Sequence, residues 1–289
     1  MKQTTYMINV NGTLMDLSIP RVMGIVNVTP DSFFAGSRTQ TEAEIACRVE
    51  QLLAEGANIL DIGGYSSRPG AADVPPEEER DRLRLGLAAI RRVCPDAVVS
   101  VDTFRADVAR MCVEEYGVAL INDISGGELD EEMFSTVARL GVPYVLMHMQ
   151  GTPQTMQDKP QYDDVLRDVF LYFARKVQQL RDLGQKDIIL DPGFGFGKTL
   201  EDNYALLAHM DELSSVFGLP VLVGVSRKSM ITKVLGVTPA EALNGTTVLN
   251  TLCLTKGAAI LRVHDVRPAV EAVRLVQAMQ DPASLIPNH

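Results

Sequence analysis

The chain is 289 residues long, 46% of its residues are hydrophobic, and its formal net charge is −10. This length allows one or two domains with a large buried core, and no apolar run approaches the roughly 18 residues of a membrane span. The negative charge argues against nucleic acid or an anionic membrane as a partner, so any anion must be bound by a local cluster of positive groups.

The first predicted element is a β-hairpin within residues 4–18. Its sequence, TYMINVNGTLMDL, alternates apolar and polar residues and has Asn11-Gly12 at its centre, a pair typical of two-residue hairpin turns. The opening residues lack the apolar stretch of a secretory signal, which predicts a cytoplasmic protein.

After the hairpin, apolar β-branched runs alternate with amphipathic helical patterns until the chain ends. The predicted strands are residues 22–28, 58–63, 97–101, 118–122, 143–147, 187–190, 220–224 and 259–263. Eight strand–helix units in one series predict an α/β fold, a (β/α)8 TIM barrel whose N-terminal end is capped by the hairpin. An open doubly wound sheet is the alternative, although it would not usually need eight units. No linker divides the chain, so residues 1–289 are predicted to form a single domain.

A polar residue stands at or next to the end of every predicted strand. These residues are Asn27, Asp61, Asp102, Asn122 with Asp123, His148, Asp191, Ser226 and His264. The carboxyl ends of all barrel strands open on one face, which carries the catalytic residues of barrel enzymes. Capping of the next helix explains one or two of these positions, with Asp61 and Asp123 as the candidates. For His148, an interior position explains the residue as well as a catalytic role does.

Three segments would bring positive groups to this face. DIGGYSSRPGA follows a strand with two glycines, two serines and Arg68, the parts of an anion cradle. SRKSM places Lys228 and Ser229 where a strand ends and a helix begins, and the free N–H groups of a helix start attract anions. RVHDVR puts Arg262 and His264 on one face of the last strand, and phosphate sites in barrels often form near the seventh and eighth strands.

Two segments would bring aromatic rings to the same face. GFGFGKT, residues 193–199, fits neither the Walker spacing nor the dinucleotide fingerprint. Its glycines predict a tight turn from which Phe194 and Phe196 project, one facing a ligand ring and the other equally suited to core packing. In the first loop, Phe33 and Phe34 lie side by side, which suggests a lid over a flat ligand.

Together these groups predict a site for a heterocycle joined to a diphosphate. Carboxylates such as Asp102 and Asp191 accept two parallel N–H bonds from a guanidine-like edge, which a 2-amino-4-oxo-pterin presents. Asn122 can both donate and accept, so it suits the mixed edge of the same ring. The groups that suit a diphosphate are Ser66, Ser67, Arg68, Lys228, Arg262 and His264. Such a site suggests group transfer with diphosphate as the leaving group.

Eight motifs, in order and over residues 25–265, closely resemble dihydropteroate synthases: NVTPDSF, DIGGYSSRPGA, SVDT, INDISGG, LMHMQGTP, DPGFGFGK, GVSRKSM and RVHDVR. The resemblance implies a (β/α)8 barrel that joins 6-hydroxymethyl-7,8-dihydropterin diphosphate to 4-aminobenzoate and releases diphosphate on the route to folate. It also implies a magnesium ion, sulfonamides as inhibitors that mimic 4-aminobenzoate, and a homodimer formed through helices near the end of the chain.

The resemblance also assigns the site residues, position by position. The pterin pocket is matched by Asp102, Asn122, Asp191 and Lys228. The diphosphate site is matched by Asn27, which is also the magnesium contact, and by Ser67, Arg68, Arg262 and His264. The aminobenzoate site is matched by Phe33, Phe196 and Ser229. Asp102, Asp191 and Lys228 are the expected catalytic residues, with the two carboxylates favouring a cation at the exocyclic carbon of the pterin after diphosphate departs.

Two segments depart from the family pattern. The usual GGESTRPG is GGYSSRPG here, so Tyr65 replaces a glutamate and Ser67 replaces a threonine, which keeps the hydroxyl. In the first loop the usual Ser-Asp-Gly-Gly becomes Phe-Ala-Gly-Ser, so an aspartate is missing. Two other functions share the pterin pocket: a corrinoid-linked methyltransferase barrel, which would have no use for Arg68, Arg262 and His264, and a non-catalytic pterin-binding protein.

Overall fold

All eight predicted barrel strands are present, and their ends lie within two residues of the predictions. Residues 6–28, 38–65, 74–152 and 161–282 are described in this computed structural model. The strands are β1 (Met7–Val10), β2 (Thr13–Asp16), β3 (Arg21–Asn27), β4 (Ile59–Gly63), β5 (Val99–Asp102), β6 (Leu120–Asp123), β7 (Tyr144–Met147), β8 (Ile188–Asp191), β9 (Val221–Val223) and β10 (Ala258–Val263). Strands β3 to β10 close into a parallel barrel in the order β10-β3-β4-β5-β6-β7-β8-β9. The TIM barrel is therefore confirmed and the open sheet is excluded.

Helices follow the barrel strands along the chain and cover them. They are α1 (Arg38–Ala54), α2 (Pro76–Val93), α3 (Ala106–Tyr116), α4 (Met133–Leu140), α5 (Val165–Asp182), α6 (Leu200–Ala208), α7 (Met210–Phe217), α8 (Ser229–Leu235), α9 (Leu243–Thr255) and α10 (Val266–Gln280). The sequence of α2 favours a helix because Pro76 begins it, three glutamates lie in its first turn and two arginines lie in its last. None of the helices in the described ranges is long and apolar enough to cross a membrane.

The predicted hairpin consists of β1 and β2, which pair antiparallel around Asn11 and Gly12. Both turn residues have positive φ, 52° and 83°, as the favoured two-residue hairpin turn requires. Ile8, Val10 and Leu17 are buried in the same apolar cluster as inner residues of the barrel strands. The hairpin therefore closes the N-terminal end of the barrel, as predicted.

Each barrel strand alternates between an inner and an outer face. Ile59, Leu120 and Ile189 belong to the cluster inside the barrel, whereas Leu60 and Ile121 pack against the helices. The inner apolar residues and the hairpin fill the N-terminal part of the barrel. Side chains two positions further along the same strands therefore lie inside the barrel but nearer its C-terminal end.

Candidate active site

Five polar side chains lie inside the barrel, close to the carboxyl ends of its strands. They are Asp61, Asp102, Asn122, Asp191 and Arg262, which belong to β4, β5, β6, β8 and β10. Four of them follow an inner apolar residue of their own strand by two positions and so share its face. The register places Asp102 beside Asn122 across β5 and β6. Folding thus brings residues from distant parts of the sequence together at the C-terminal opening of the barrel, which we call the mouth.

Arg262 joins two of the carboxylates. Its Nε donates to Asp61 Oδ2 at 2.6 Å, and its Nη2 donates to Asp102 Oδ2 at 2.7 Å. Asn122 Nδ2 also donates to Asp61 Oδ2, at 3.1 Å. Burial opposes the charge of Arg262, but Asp61 and Asp102 outweigh it and raise the pKa of the guanidinium above its ordinary value. Arg262 therefore stays charged inside the barrel.

The prediction that Asp61 caps a helix is wrong. Its side chain is 0% exposed and is bonded to Arg262 and Asn122 across the barrel. Its second oxygen, Oδ1, has no hydrogen-bond partner among the described residues. The alternation of β4 could have identified it, because Asp61 follows the inner residue Ile59 by two positions. Asp61 is thus a third carboxylate of the mouth.

Asp123, the other capping candidate, has a structural role on the opposite face of its strand. Its carboxylate accepts hydrogen bonds from the backbone N–H groups of Ser125 and Gly127 and from the hydroxyl groups of Ser125 and Tyr144. It therefore stabilises the turn that follows β6 rather than the start of a helix.

Burial moves the pKa values of Asp102, Asp191 and Lys228 towards neutrality. It raises the pKa of Asp102 to about 7, while Arg262 opposes the rise and Asp61 adds to it. It also raises the pKa of Asp191, an effect that Lys228 opposes. Burial lowers the pKa of Lys228 to about 8, opposed by the charge of Asp191. Lys228 thus lies close to Asp191, and the site has the shifted pKa values that are typical of active sites.

Lys228 also contacts the glycine-rich turn. Its Nζ donates to the carbonyl oxygen of Phe194 at 2.5 Å and lies 4.5 Å from the centre of the Phe196 ring, a cation–π distance. Phe196 is partly buried against Met147 and Met149, whereas Phe194 is 0% exposed in the core. Of the two phenylalanines, Phe196 is therefore the one that can face a ligand.

A second lysine fixes this turn, and the sequence analysis gave it no role. Lys198 Nζ donates to the carbonyl oxygens of Gly193, Phe196 and His148 at 2.9, 3.0 and 3.2 Å. Lys198 is buried, and burial lowers its pKa to about 7. Three carbonyl groups around one ammonium hold the backbone that carries the Phe196 ring.

Gly193 allows this turn to approach β7 closely, so we expect Gly193→Ala to disrupt it. A Cβ at Gly193, where φ is 67°, would lie 2.0 Å from the carbonyl oxygen of His148. Strain and collision together should lower the free energy of unfolding by about 3 kcal/mol. Gly141→Ala is the matched control, because its φ is 68° and nothing lies within 4 Å of the added atom. Gly141→Ala should lower the free energy of unfolding by only about 1 kcal/mol. Urea unfolding measures both, and equal losses would contradict the expectation.

His148 lies in the interior, and this position favours a structural role for the residue. Its ring packs edge-on against Tyr172 with 4.9 Å between the ring centres. Burial, with a contribution from Lys198, lowers the pKa of His148 to about 2, so its ring is neutral.

Two contacts join the loop after β9 to the loop after β10. Ser226 Oγ lies 3.0 Å from His264 Nδ1, and Arg227 donates from Nε and Nη2 to Asp265 at 2.9 and 2.8 Å. Arg227 adopts a left-handed backbone with φ of 57°, which is uncommon for a residue other than glycine. The sequence analysis missed Arg227 and Asp265, because residues 38 positions apart form no local pattern. Both contacts help to hold His264 beside the segment that carries Lys228.

The remaining predicted site residues fall into two groups. Asn27 ends β3 in register with Gly63, so it lies at the mouth, and Ser229 is exposed at the first residue of α8. Phe33, Ser67 and Arg68 lie outside the described residues.

Gly63, the last residue of β4, and Gly64, which follows it, have a packing role that the sequence analysis did not anticipate. A Cβ at Gly63 would lie 3.3 Å from the Cβ of Asp102, and one at Gly64 would lie 3.1 Å from the carbonyl oxygen of Glu79. These positions let the end of β4 approach β5 and α2 closely. Close packing therefore gives a structural reason for both glycines, and their predicted place in an anion cradle stays a prediction.

Comparison with known proteins identifies the family. Residues 23–264 match the family described as pterin binding enzyme. The dihydropteroate synthase of Escherichia coli strain K12 is 44% identical over 270 residues, which cover 92% of this chain and 94% of that protein. The structure of Yersinia pestis dihydropteroate synthase in complex with a sulfonamide drug is similar, with a TM-score of 0.87, 41% identity, and coverage of 96% of this chain and 100% of the other.

The structure of Xanthomonas albilineans dihydropteroate synthase with 4-aminobenzoic acid is similar as well. Its TM-score is 0.86 and its identity is 40%, with 96% of this chain and 99% of the other covered. The family match over residues 23–264 spans nearly the whole barrel. The chain therefore belongs to the pterin binding enzyme family.

Proposed function

We propose that this protein is a dihydropteroate synthase, a transferase that joins 6-hydroxymethyl-7,8-dihydropterin diphosphate to 4-aminobenzoate and releases diphosphate. The observation that carries the proposal is the gathering of acidic and basic groups in one barrel mouth. These groups are Asp61, Asp102, Asn122, Asp191, Lys228 and Arg262. The acids suit the amino edge of a pterin, and the cations suit its diphosphate.

Asp102, Asn122, Asp191 and Lys228 are the groups that we assign to the pterin. The two carboxylates accept N–H bonds from the 2-amino-4-oxo edge. The amide of Asn122 is oriented by the hydrogen bond from its Nδ2 to Asp61, so its Oδ1 is available to accept a ring N–H. Lys228 Nζ donates to an oxygen or nitrogen of the ring.

Arg262 and His264, with Ser67 and Arg68, are the groups that we assign to the diphosphate. Asn27 supplies an amide oxygen at the mouth, a ligand type that Mg²⁺ accepts. Within the described ranges, no cluster of three or more His, Cys, Asp or Glu side chains could hold a metal ion by itself. This donor set fits a magnesium ion held by one side chain and by substrate phosphate, which would neutralise negative charge on the leaving group.

Phe33, Phe196 and Ser229 are the groups that we assign to 4-aminobenzoate. Phe196 offers an aromatic face beside Lys228, with 4.5 Å between the Lys228 Nζ and the ring centre. Ser229 offers a hydroxyl for the carboxylate of the substrate. Sulfonamides resemble this substrate and should compete with it for the same place.

The mechanism we propose begins with departure of diphosphate, to which Arg68, Arg262 and His264 donate hydrogen bonds. The exocyclic carbon of the pterin then carries positive charge, which the ring spreads and the carboxylates of Asp102 and Asp191 stabilise. The amine of 4-aminobenzoate attacks that carbon, and the ammonium that forms then loses its proton to water. Aryl amines are weak bases, so this step needs no strong general base.

One assay tests the proposed function. Purified protein with pterin diphosphate should release diphosphate and form dihydropteroate, and both should require 4-aminobenzoate and magnesium. Binding of pterin diphosphate without release would contradict the proposal and identify a non-catalytic pterin-binding protein. Transfer of a methyl group from a methylated pterin to a corrinoid protein would identify a methyltransferase instead.

We also propose a cytoplasmic homodimer formed through the last helices. Val248 and Leu252 of α9 and Leu275 and Met279 of α10 are exposed apolar side chains, and such clustered exposure is typical of interaction surfaces. Sedimentation equilibrium at micromolar concentration should give about twice the mass of the chain, and a monomer at every concentration would contradict the dimer.

A further inference from the structure

Ser226 and His264 lie side by side beyond the ends of two neighbouring strands, β9 and β10. Ser226 is 5% exposed, and His264 directly follows the last residue of β10. The hydroxyl oxygen of Ser226 lies 3.0 Å from His264 Nδ1, and it also accepts a hydrogen bond from the backbone N–H of His264 at 3.3 Å. Ser226 is therefore bonded both to the ring and to the backbone of the same residue.

These two contacts determine where the hydroxyl proton of Ser226 points. A backbone N–H can only donate, so Ser226 Oγ is the acceptor in that bond. Among the described residues, His264 Nδ1 is the one remaining partner to which the O–H can donate, and buried polar groups are nearly always hydrogen-bonded. In a neutral imidazole one nitrogen accepts and the other carries the proton. Because Nδ1 accepts, the proton of His264 lies on Nε2.

The backbone around His264 has attachments that do not depend on Ser226. Arg48 of α1 donates from Nη2 to the carbonyl oxygen of His264 at 2.6 Å. The next residue, Asp265, accepts two hydrogen bonds from the guanidinium of Arg227. Removal of the Ser226 hydroxyl should therefore change the ring of His264 more than its backbone.

We propose that Ser226 is a positioning residue for the leaving diphosphate, which acts by holding the proton of the neutral His264 ring on Nε2. The proposal rests on the proposed function in one respect, the assignment of His264 to the diphosphate. Ionised phosphate oxygens accept hydrogen bonds, so Nε2 can bind them only when it carries a proton. With the proton on Nδ1 instead, Nε2 would present a lone pair to the anion and repel it.

Nitrogen-15 NMR of the histidine side chains tests the tautomer directly. The chain has four histidines, and the signals that disappear in His264→Gln are those of His264. At about pH 8, where an ordinary imidazole is neutral, Nδ1 of His264 should have the chemical shift of an unprotonated nitrogen and Nε2 that of a protonated one. A proton on Nδ1 would overturn the proposal. This measurement uses the unaltered residue 226, so it stands even if variants of Ser226 do not fold.

Ser226→Ala tests the consequence for binding. The two nitrogen shifts of His264 should move towards each other, because both tautomers are then populated. Calorimetry with inorganic diphosphate and magnesium should show about fivefold weaker binding, which corresponds to the loss of one hydrogen bond. Binding of 6-hydroxymethylpterin, which has no phosphate, should stay the same. Unchanged shifts or unchanged diphosphate affinity in this variant would overturn the proposal.

Ser125→Ala is the matched control. Ser125 is also buried, 2% exposed, beyond the end of a barrel strand, and its hydroxyl donates to Asp123 Oδ1 at 2.7 Å, but it is not bonded to His264. Ser125→Ala should leave the His264 shifts and the diphosphate affinity unchanged, and equal losses of affinity in the two variants would overturn the proposal. Because both measurements are made without 4-aminobenzoate, a failure of synthase activity would reject the proposed function and leave these results standing.

Discussion

Asp102→Asn should reduce the turnover number by about 10³-fold, because it removes one of the charged groups that we propose stabilise the transition state. The amide keeps the size of the side chain and can still accept a hydrogen bond from Arg262, so the fold should be preserved. Steady-state measurement of dihydropteroate formation gives the turnover number, and circular dichroism checks the fold.

The pH dependence of the same reaction gives an independent test of Asp102. Burial raises the pKa of Asp102 to about 7, so the carboxylate is lost as the pH falls through 7, and kcat/KM for the unaltered protein should decline on that side. The pKa of Lys228 is about 8, so activity should also decline above pH 8. Asp107→Asn, which alters a partly exposed acid of α3 paired with Arg80, should keep both the acidic and the alkaline decline of kcat/KM. A flat profile between pH 5 and 7 would exclude Asp102 as the group responsible.

Asp61→Asn should lower kcat/KM by about 10²-fold, by releasing Arg262 and Asn122 from their positions. The carboxylate of Asp61 receives 2.6 Å and 3.1 Å hydrogen bonds from these two residues. Its charge also contributes to the raised pKa of Asp102. The acidic limb of the pH profile should therefore move to lower pH in this variant. Weakening a buried, charge-assisted network should also cost about 2 kcal/mol of unfolding free energy.

Asp123→Asn separates the function of Asp61 from its contribution to stability. Both aspartates are 0% exposed and belong to barrel strands, Asp61 to β4 and Asp123 to β6. Asp123 faces the helices, however, and bonds Ser125, Gly127 and Tyr144. Asp123→Asn should lower the free energy of unfolding by a similar amount, because it also weakens buried hydrogen bonds. It should leave kcat/KM within threefold of the value for the unaltered protein, because Asp123 faces the helices. Equal kinetic losses in the two variants would show that Asp61 acts only through stability.

The barrel could be predicted from the sequence because its strands carry a strong local pattern. Continuous apolar β-branched runs mark strands that are buried on both faces, and a polar residue after each run marks the catalytic end. The hairpin could be predicted from Asn11-Gly12 for the same reason, because few other residue pairs accept two positive φ angles. Most strand ends differ from the predictions by one or two residues, because hydrogen bonding between neighbouring strands sets them, whereas the ends at Gly63, Met147 and Val263 were predicted correctly.

The pairing of the mouth residues could not be predicted in the same way. Arg262 and Asp61 are separated by 201 positions, and no local pattern in either segment indicates that the two residues pair. The capping interpretation of Asp61 failed because an aspartate near the end of a strand can either cap the next helix or point into the barrel. Only the inward direction of the Asp61 side chain distinguishes the two. The contacts of Tyr65, whose ring packs edge-on against Phe104 and lies under the guanidinium of Arg105, were also beyond local pattern, because they join the loop after β4 to the loop after β5.

The ion pair between Arg262 and Asp102 has a consequence for the discovery of inhibitors. A guanidinium tied to the chain already occupies one oxygen of Asp102, with a separation of 2.7 Å, and an intramolecular competitor acts at an effective concentration in the millimolar range or above. A small fragment whose amino edge binds both oxygens of Asp102 must displace the guanidinium. A fragment that also carries an anionic group could bind Arg262 and so release Asp102 for the amino edge. Libraries screened against this mouth should therefore include such bifunctional compounds.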